Sequence, residues 1–337
     1  SKEEIIGKKR VSLFSPGEIV LQNVAGWLDD AVKHGEYVGK TYFINKNKEK
    51  INAKIRITPT FANGKDKAQT GYCGVTEVIN DDVEVPINFS TKLIKGLAIT
   101  RMPFTSASIL PILAVGAYFA GTGDNLFNVT NFILCIIGVM IAHLSSNVLN
   151  DYFDVKDGTD EENSDYFQQV SGGSRAIVLG LITLKGTKKL GFILAAVALL
   201  IGGIILLSTN PANINSVIIC ALVGLFLGYF YTAPPLRLVA RKGLGELTIF
   251  LTFGPLITIG TAFAIFNGDL NSTEHLINCL YIGIPMGLLT TNILLINEFP
   301  DMESDQKTHK NHLVVTFGKE KSRWIYLFIL ALSILFT

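Results

Sequence analysis

Seven long apolar runs, all after Leu97, constrain this chain more than any other feature. They fall at about 97–120, 129–149, 188–208, 214–233, 246–267, 275–297 and 323–337. The first six approach or exceed the roughly 20 residues that cross a bilayer as a helix. In lipid each backbone N–H and C=O must find its partner within the segment, so such runs fold as helices. A buried soluble core seldom needs so many of them. The expected fold is therefore an all-α polytopic membrane protein, with the lipid bilayer as its first partner. Hydrophobic residues make up 49% of the 337 and charged residues 17%, in keeping with that reading. The net charge of +1 supplies no field for a polyanion, so no nucleic acid is expected.

Residues 1–90 read differently. Glu18–His34 has helical spacing, with Val20, Val24, Trp27, Leu28 and Ala31 on one face. Strand-like stretches follow at Tyr37–Ile44, Ile51–Thr58, Gly71–Ile79 and Val83–Phe89, separated by turn formers such as Asn63-Gly64 and Asp81-Asp82. The expectation is a small soluble β-rich or α+β segment, of unknown role and without a chemical motif, ahead of a transmembrane domain at 95–337. Cys73, Cys135, Cys220 and Cys279 lack metal-ligand spacing and read as reduced. The chain starts at Ser1 without an initiator Met and stops inside an apolar run, as a piece of a longer protein does.

Charge sorts the loops between spans. Lys156, Arg175, Lys185, Lys188 and Lys189 follow the second span; Arg237, Arg241 and Lys242 follow the fourth; Lys307, Lys310, Lys319, Lys321 and Arg323 follow the sixth. The loops after spans one, three and five carry no Lys or Arg. Basic loops stay in the cytoplasm, which puts the N-terminal segment there too.

Two carboxylate clusters sit at the cytoplasmic ends of spans. In the first, His143, Asn147, Asn150, Asp154 and Asp157 are spaced by three or four, so a helix presents them on one face; Asp151 and Asp160 lie beside them. In the second, Asn297, Asp301 and Asp305 repeat every four residues. Like charges stacked at this spacing weaken a helix, and a membrane boundary raises the cost. Hard oxygen donors suit Mg2+, which commonly joins carboxylates to substrate phosphates. Two such clusters facing each other would clamp a diphosphate. Solvated helix-end acids are the plain alternative. Arg101, Arg175, Arg237 and Lys310 are the cations available for such a group, Arg being suited to bidentate oxygen contacts.

At these motifs the chain resembles the UbiA superfamily of intramembrane prenyltransferases. Asn150-Asp151-x-x-Asp154-x-x-x-Gly158-x-Asp160 is similar to the branch that prenylates 1,4-dihydroxy-2-naphthoate, as are Ser171-Gly-Gly-Ser-Arg175, Gly243-Leu-Gly-Glu246 and Phe253-Gly-Pro255. Tyr231-Thr-Ala-Pro-Pro-Leu-Arg237 is similar to that branch and to chlorophyll synthases. Arg101-Met-Pro103 resembles the start of the family's first helix, and Asn297-Glu-Phe-Pro-Asp301-x-x-x-Asp305 its second aspartate motif. Near Lys310, His309 and His312 replace the Gly and Thr of a family pattern. The resemblance spans residues 95–337 and implies seven of nine transmembrane helices. It implies Mg2+ held by Asn150, Asp151, Asp154, Asp157, Asp160, Asn297, Asp301 and Asp305, with Asn150, Asp154, Asp301 and Asp305 catalytic. The substrates implied are a polyisoprenyl diphosphate and an aromatic acceptor. Arg101, His143, Asn147, Arg175, Tyr231, Arg237 and Lys310 would bind them, His143 and Asn147 toward the acceptor. The pathway implied is menaquinone biosynthesis in a prokaryotic cell membrane, the site facing the cytoplasm. A chlorin, 4-hydroxybenzoate, haem or glyceryl phosphate lipid remains open as acceptor. A cation-coupled transporter remains open as another class, although its charged groups are expected nearer the midplane.

Overall fold

The computed structural model describes residues 15–45, 47, 49–64, 68–123, 126–157, 173–174, 176–177, 179–272 and 274–337. The chain divides into two compact units, Ser1–Ile99 with Ala176–Thr183, and Thr100–Arg175 with Leu184–Thr337.

In the first unit the expected helix forms as a short turn at Gly17–Ile19, a π-helical turn at Val20–Val24 and α1, Ala25–His34. Strands β1 (Tyr37–Ile44), β2 (Lys50–Thr60) and β3 (Gly71–Val78) make an antiparallel sheet in the order β1-β2-β3. Tyr37 pairs with Ile57 and Thr60 with Gly71. In β2, Ala53 and Ile55 are buried while Lys54 and Arg56 face water, the two-residue alternation of a half-buried strand. The fourth expected strand, Val83–Phe89, is absent. Pro86 offers no amide hydrogen to a ladder, and the side chain of Asn88 accepts from Thr91 N at 2.8 Å, which starts a helix instead. That helix is α2, Phe89–Thr100. Gln22 holds the irregular stretch by bonding Pro86 O (3.0 Å) and Asn88 N (2.9 Å).

The second unit is helical. Its elements are α3 (Ser106–Thr122, after a 3-10 turn at Met102–Thr105), α4 (Val129–Lys156), α5 (Leu184–Ser208), α6 (Ile214–Phe230), α7 (Leu244–Leu251), α8 (Ile257–Ile265), α9 (His275–Lys307) and α10 (Leu313–Leu335). A π-helical turn, Thr252–Leu256, joins α7 to α8 in one span; Pro255 within it cannot donate to the ladder. Six helical segments among the described residues are long and apolar enough to cross a membrane: Met102–Thr122, Val129–Lys156, Leu184–Leu207, Pro211–Phe230, Leu244–Ile265 and His275–Lys307. The chain is an integral multi-pass membrane protein. Exposed Leu199, Leu200, Leu207, Ile219 and Leu222 suit outward faces in contact with lipid.

Several span boundaries differ from expectation, the second span running on to Lys156. The first span begins at Met102 rather than 97, because Arg101 adopts a left-handed conformation that breaks the helix (φ 52°). The sixth runs on to Lys307, which makes the second acidic cluster helical. The seventh run lies in α10, which Gly318 kinks (φ 78°) beside the charged Lys319, Lys321 and Arg323; this helix is not among the six.

The π turn packs closely on α9. A Cβ on Gly254 would lie 2.5 Å from Gly283 O and 2.8 Å from Gly287 Cα, both backbone atoms. Gly254→Val is expected to destabilise the helical unit by about 1–3 kcal/mol or more, read as a lower thermal midpoint in detergent. Gly224→Ala, whose Cβ meets only Leu256 Cδ2 at 3.6 Å, should leave the midpoint nearly unchanged.

Candidate functional site

The last two turns of α4 and the last three of α9 carry the two acidic clusters, and the fold brings Asp154 of the first into the field of Asp305 of the second. On α4, Asp151 and Asp154 are buried and Asn150 and Asp157 lie at the edge. Asp151 accepts from Ser174 N (3.2 Å) and from the Ser174 hydroxyl. Asp157 Oδ2 lies 3.2 Å from Arg237 Nε. On α9, Glu298, Asp301 and Asp305 are buried and Asn297 is half-buried. Asp154, only 7% exposed, joins the clusters. It lies 4.0 Å from Lys310 Nζ, just past the end of α9, and its charge interacts with those of Asp305, Arg237 and Arg101.

Backbone strain gathers at the same place. Arg101 (φ 52°), Arg237 (φ 41°) and His309 (φ 57°) are the non-glycine residues with positive φ among the described residues. Each left-handed residue costs on the order of 1–3 kcal/mol, and such strain clusters where function needs it. Arg101 stands between α2 and the turn before α3. Its guanidinium packs over the Phe104 ring at 4.9 Å and interacts with Asp151, Asp154, Tyr231 and His143. Arg237 closes the loop after α6, where Val239 N bonds Tyr231 O at 2.9 Å. Tyr231 is brought near Glu298, Glu246 and Asp154; burial first, then these anions, keeps its phenol protonated well above the usual tyrosine range.

His143 and Asn147 sit deeper in α4. The Ser108 hydroxyl and His143 Nδ1 are 2.7 Å apart, and the imidazole meets Phe253 edge-on at 5.1 Å. Asn147 Nδ2 donates to Thr100 O at 3.1 Å, which supports the strained junction before Arg101. Asp160 and Arg175 lie outside the described residues.

Sequence reasoning did not assign His312, Glu246 or Glu298 to the site. His312, 1% exposed, lies between α9 acids, with Nε2 3.1 Å from Asp305 Oδ2 and Nδ1 3.1 Å from Glu298 Oε2. Glu246 accepts from Leu313 N at 2.7 Å. A carboxylate in the first turn of an apolar span is expensive, and that signal was open for Glu246. His312 gave none, since its partners come from other elements. The donors suit a divalent cation: they are oxygen-rich and anionic, and Asn150 Oδ1 is buried without a hydrogen-bond partner. A site with this charge pattern can hold a polyanion through metal and arginine together.

Residues 108–337 match the model of the UbiA prenyltransferase family. The chain is 26% identical over 290 residues to the chloroplastic 2-carboxy-1,4-naphthoquinone phytyltransferase of Arabidopsis thaliana, covering 84% of this chain and 68% of that one. It is 29% identical over 237 residues to the 1,4-dihydroxy-2-naphthoate octaprenyltransferase of Haemophilus influenzae, covering 69% and 71%. Over 225 residues it is 30% identical to the 2-carboxy-1,4-naphthoquinone phytyltransferase of Synechocystis, covering 66% of each. Among solved structures, a UbiA homolog from Archaeoglobus fulgidus bound to DMAPP and Mg2+ shares the fold, with a TM-score of 0.51 at 18% identity over 72% of this chain and 76% of that one.

Proposed function

Since the chain belongs to the UbiA prenyltransferase family, we propose that it moves a polyisoprenyl group from its diphosphate to 1,4-dihydroxy-2-naphthoate in quinone synthesis, dependent on Mg2+. The observation that carries this reading is the convergence of Asp151 and Asp154 with Asp305 beside Arg101, Arg237 and Lys310, with Asp301 buried one turn before Asp305 on the same helix.

Asn150, Asp154, Asp301 and Asp305 would hold Mg2+, with Asp151, Asp157, Asp160 and Asn297 at its margin. Mg2+ bound there would neutralise the diphosphate and stabilise it as a leaving group. Arg101, Arg175, Arg237 and Lys310 would meet the remaining oxygen charge, arginine being suited to bidentate oxygen contacts. Tyr231, kept protonated, donates into the same space. As the carbon–oxygen bond breaks, the apolar walls farther along α4 and α9 keep water from the allylic cation. His143 and Asn147 line the acceptor end. With the naphthoate as acceptor, the prenyl group takes the place of a carboxylate that leaves as CO2. The naphthoate is favoured over other acceptors by Gly243-Leu-Gly-Glu246 and Phe253-Gly-Pro255 and by the names of the relatives above. The distribution of Lys and Arg favours a site that opens to the cytoplasm of a prokaryotic cell.

The test is to incubate membranes containing the protein with radiolabelled isoprenyl diphosphate and a panel of aromatic acceptors, with and without Mg2+. A labelled lipid product with the naphthoate, lost on chelation, is the expected result. Transfer to a different acceptor would reassign the substrate, and transfer that survives chelation would remove the metal.

A further inference from the structure

Glu246 in the first turn of α7, Glu298 in α9 and His312 at the start of α10 converge beside the aspartate clusters. They are 3%, 6% and 1% exposed, and one ligand atom of each lies within 4.8 Å of the others. We propose that these three side chains bind a second divalent metal ion, of the zinc or manganese class, distinct from the Mg2+ of the aspartate clusters. This ion would tie α7, α9 and α10 together at the edge of the diphosphate site.

The donor set is the first ground. One imidazole nitrogen with two carboxylate oxygens suits zinc or manganese better than Mg2+, which takes oxygen alone. The second ground is the unpartnered oxygens. Leu313 N occupies Glu246 Oε1, while Glu246 Oε2 is buried with no hydrogen-bond donor. Glu298 Oε2 is buried without one as well, although His312 Nδ1 stands 3.1 Å away. A protonated His312 would serve Glu298 Oε2, but no hydrogen-bond donor reaches Glu246 Oε2, and a buried carboxylate oxygen is costly unless a cation meets it.

The third ground is the orientation of the histidine. Val315 N–H reaches His312 Nδ1 only over a long 3.4 Å; a metal at Nδ1 would take the one lone pair that this contact uses and would leave the ring proton on Nε2. Nε2 lies 3.1 Å from Asp305 Oδ2, its hydrogen-bond partner. A metal-binding histidine characteristically donates its other ring N–H to a carboxylate in this way, which fixes the ring and raises its basicity. Asp305 would thus be shared: it faces Asp154 across the diphosphate site and backs His312 on the other side.

The inference goes beyond the proposed reaction and needs only this fold, so its readout is metal binding rather than transfer. The full chain, purified in detergent and stripped with EDTA, is titrated with Co2+ in the presence of saturating Mg2+. One equivalent of Co2+ is expected, with visible d–d absorption that Zn2+ displaces. Loss of an outer-shell partner weakens metal sites by about 10–100-fold, so Glu246→Gln and Glu298→Gln, which remove ligands, should each weaken Co2+ by about 100-fold or more. Asp154→Asn should leave the band intact. No Co2+ retained against Mg2+ overturns the proposal. So does a band that survives both glutamine variants, or one that disappears with Asp154→Asn.

Discussion

Asp154→Asn and Asp301→Asn are each expected to lower Mg2+-dependent prenyl transfer by about a thousandfold or more, equivalent to about 4 kcal/mol of transition-state stabilisation. Both carboxylates are buried at the ends of α4 and α9, and Asn keeps their shape while removing the charge. The folded state should not suffer. Burial is the largest cost to the Asp154 charge and Asp305 adds repulsion, while Lys310, Arg237 and Arg101 attract it; removing the charge relieves the first two and gives up the third, so the fold should lose little. The expected pair of measurements is therefore a lost transfer rate with a nearly unchanged thermal midpoint in detergent. Near-normal transfer by either variant would refute its role. A collapsed midpoint would mean that the acids serve structure, not chemistry.

Arg237 gives the second large effect, and its backbone allows a sharper design. A β-carbon in the left-handed region costs roughly 1–2 kcal/mol, which glycine avoids. Arg237→Gly thus removes the cation while suiting the backbone at φ 41°, whereas Arg237→Ala removes the cation and keeps the strain. If the guanidinium meets the diphosphate, both variants should lose about 100-fold in kcat/KM for the isoprenyl diphosphate, near the 2.7 kcal/mol typical of one lost charge-stabilising donor. Arg237→Lys should recover part of it, since an ammonium keeps the charge but not the planar fork. Arg237→Gly with near-normal kinetics would reduce Arg237 to a turn residue paired with Asp157. The same contrast applies to Arg101, whose left-handed backbone also breaks the helix ahead of the first span.

Periodicity explains what could be read in advance. The spans were legible because lipid demands a run of apolar residues, and the faces of Asn150, Asp154, Asp301 and Asp305 because a helix repeats every 3.6 residues. Strand β2 was legible for a similar reason, its burial alternating every second residue. Val83–Phe89 misled because its apolar residues alternate, yet Pro86 and the Asn88 cap decide the backbone there. The start of the first span misled because hydropathy is blind to a left-handed residue at position 101.

By itself, then, the amino-acid order determined a polytopic helical membrane protein with two acid-bearing helix ends, since both features are written in local spacing. Only the tertiary structure decided that Asp154 meets Lys310 and that His312 lies between Glu298 and Asp305, with Glu246 beside them. Those contacts join separate helices and loops, and no repeat along a chain records which of its helices will pack together.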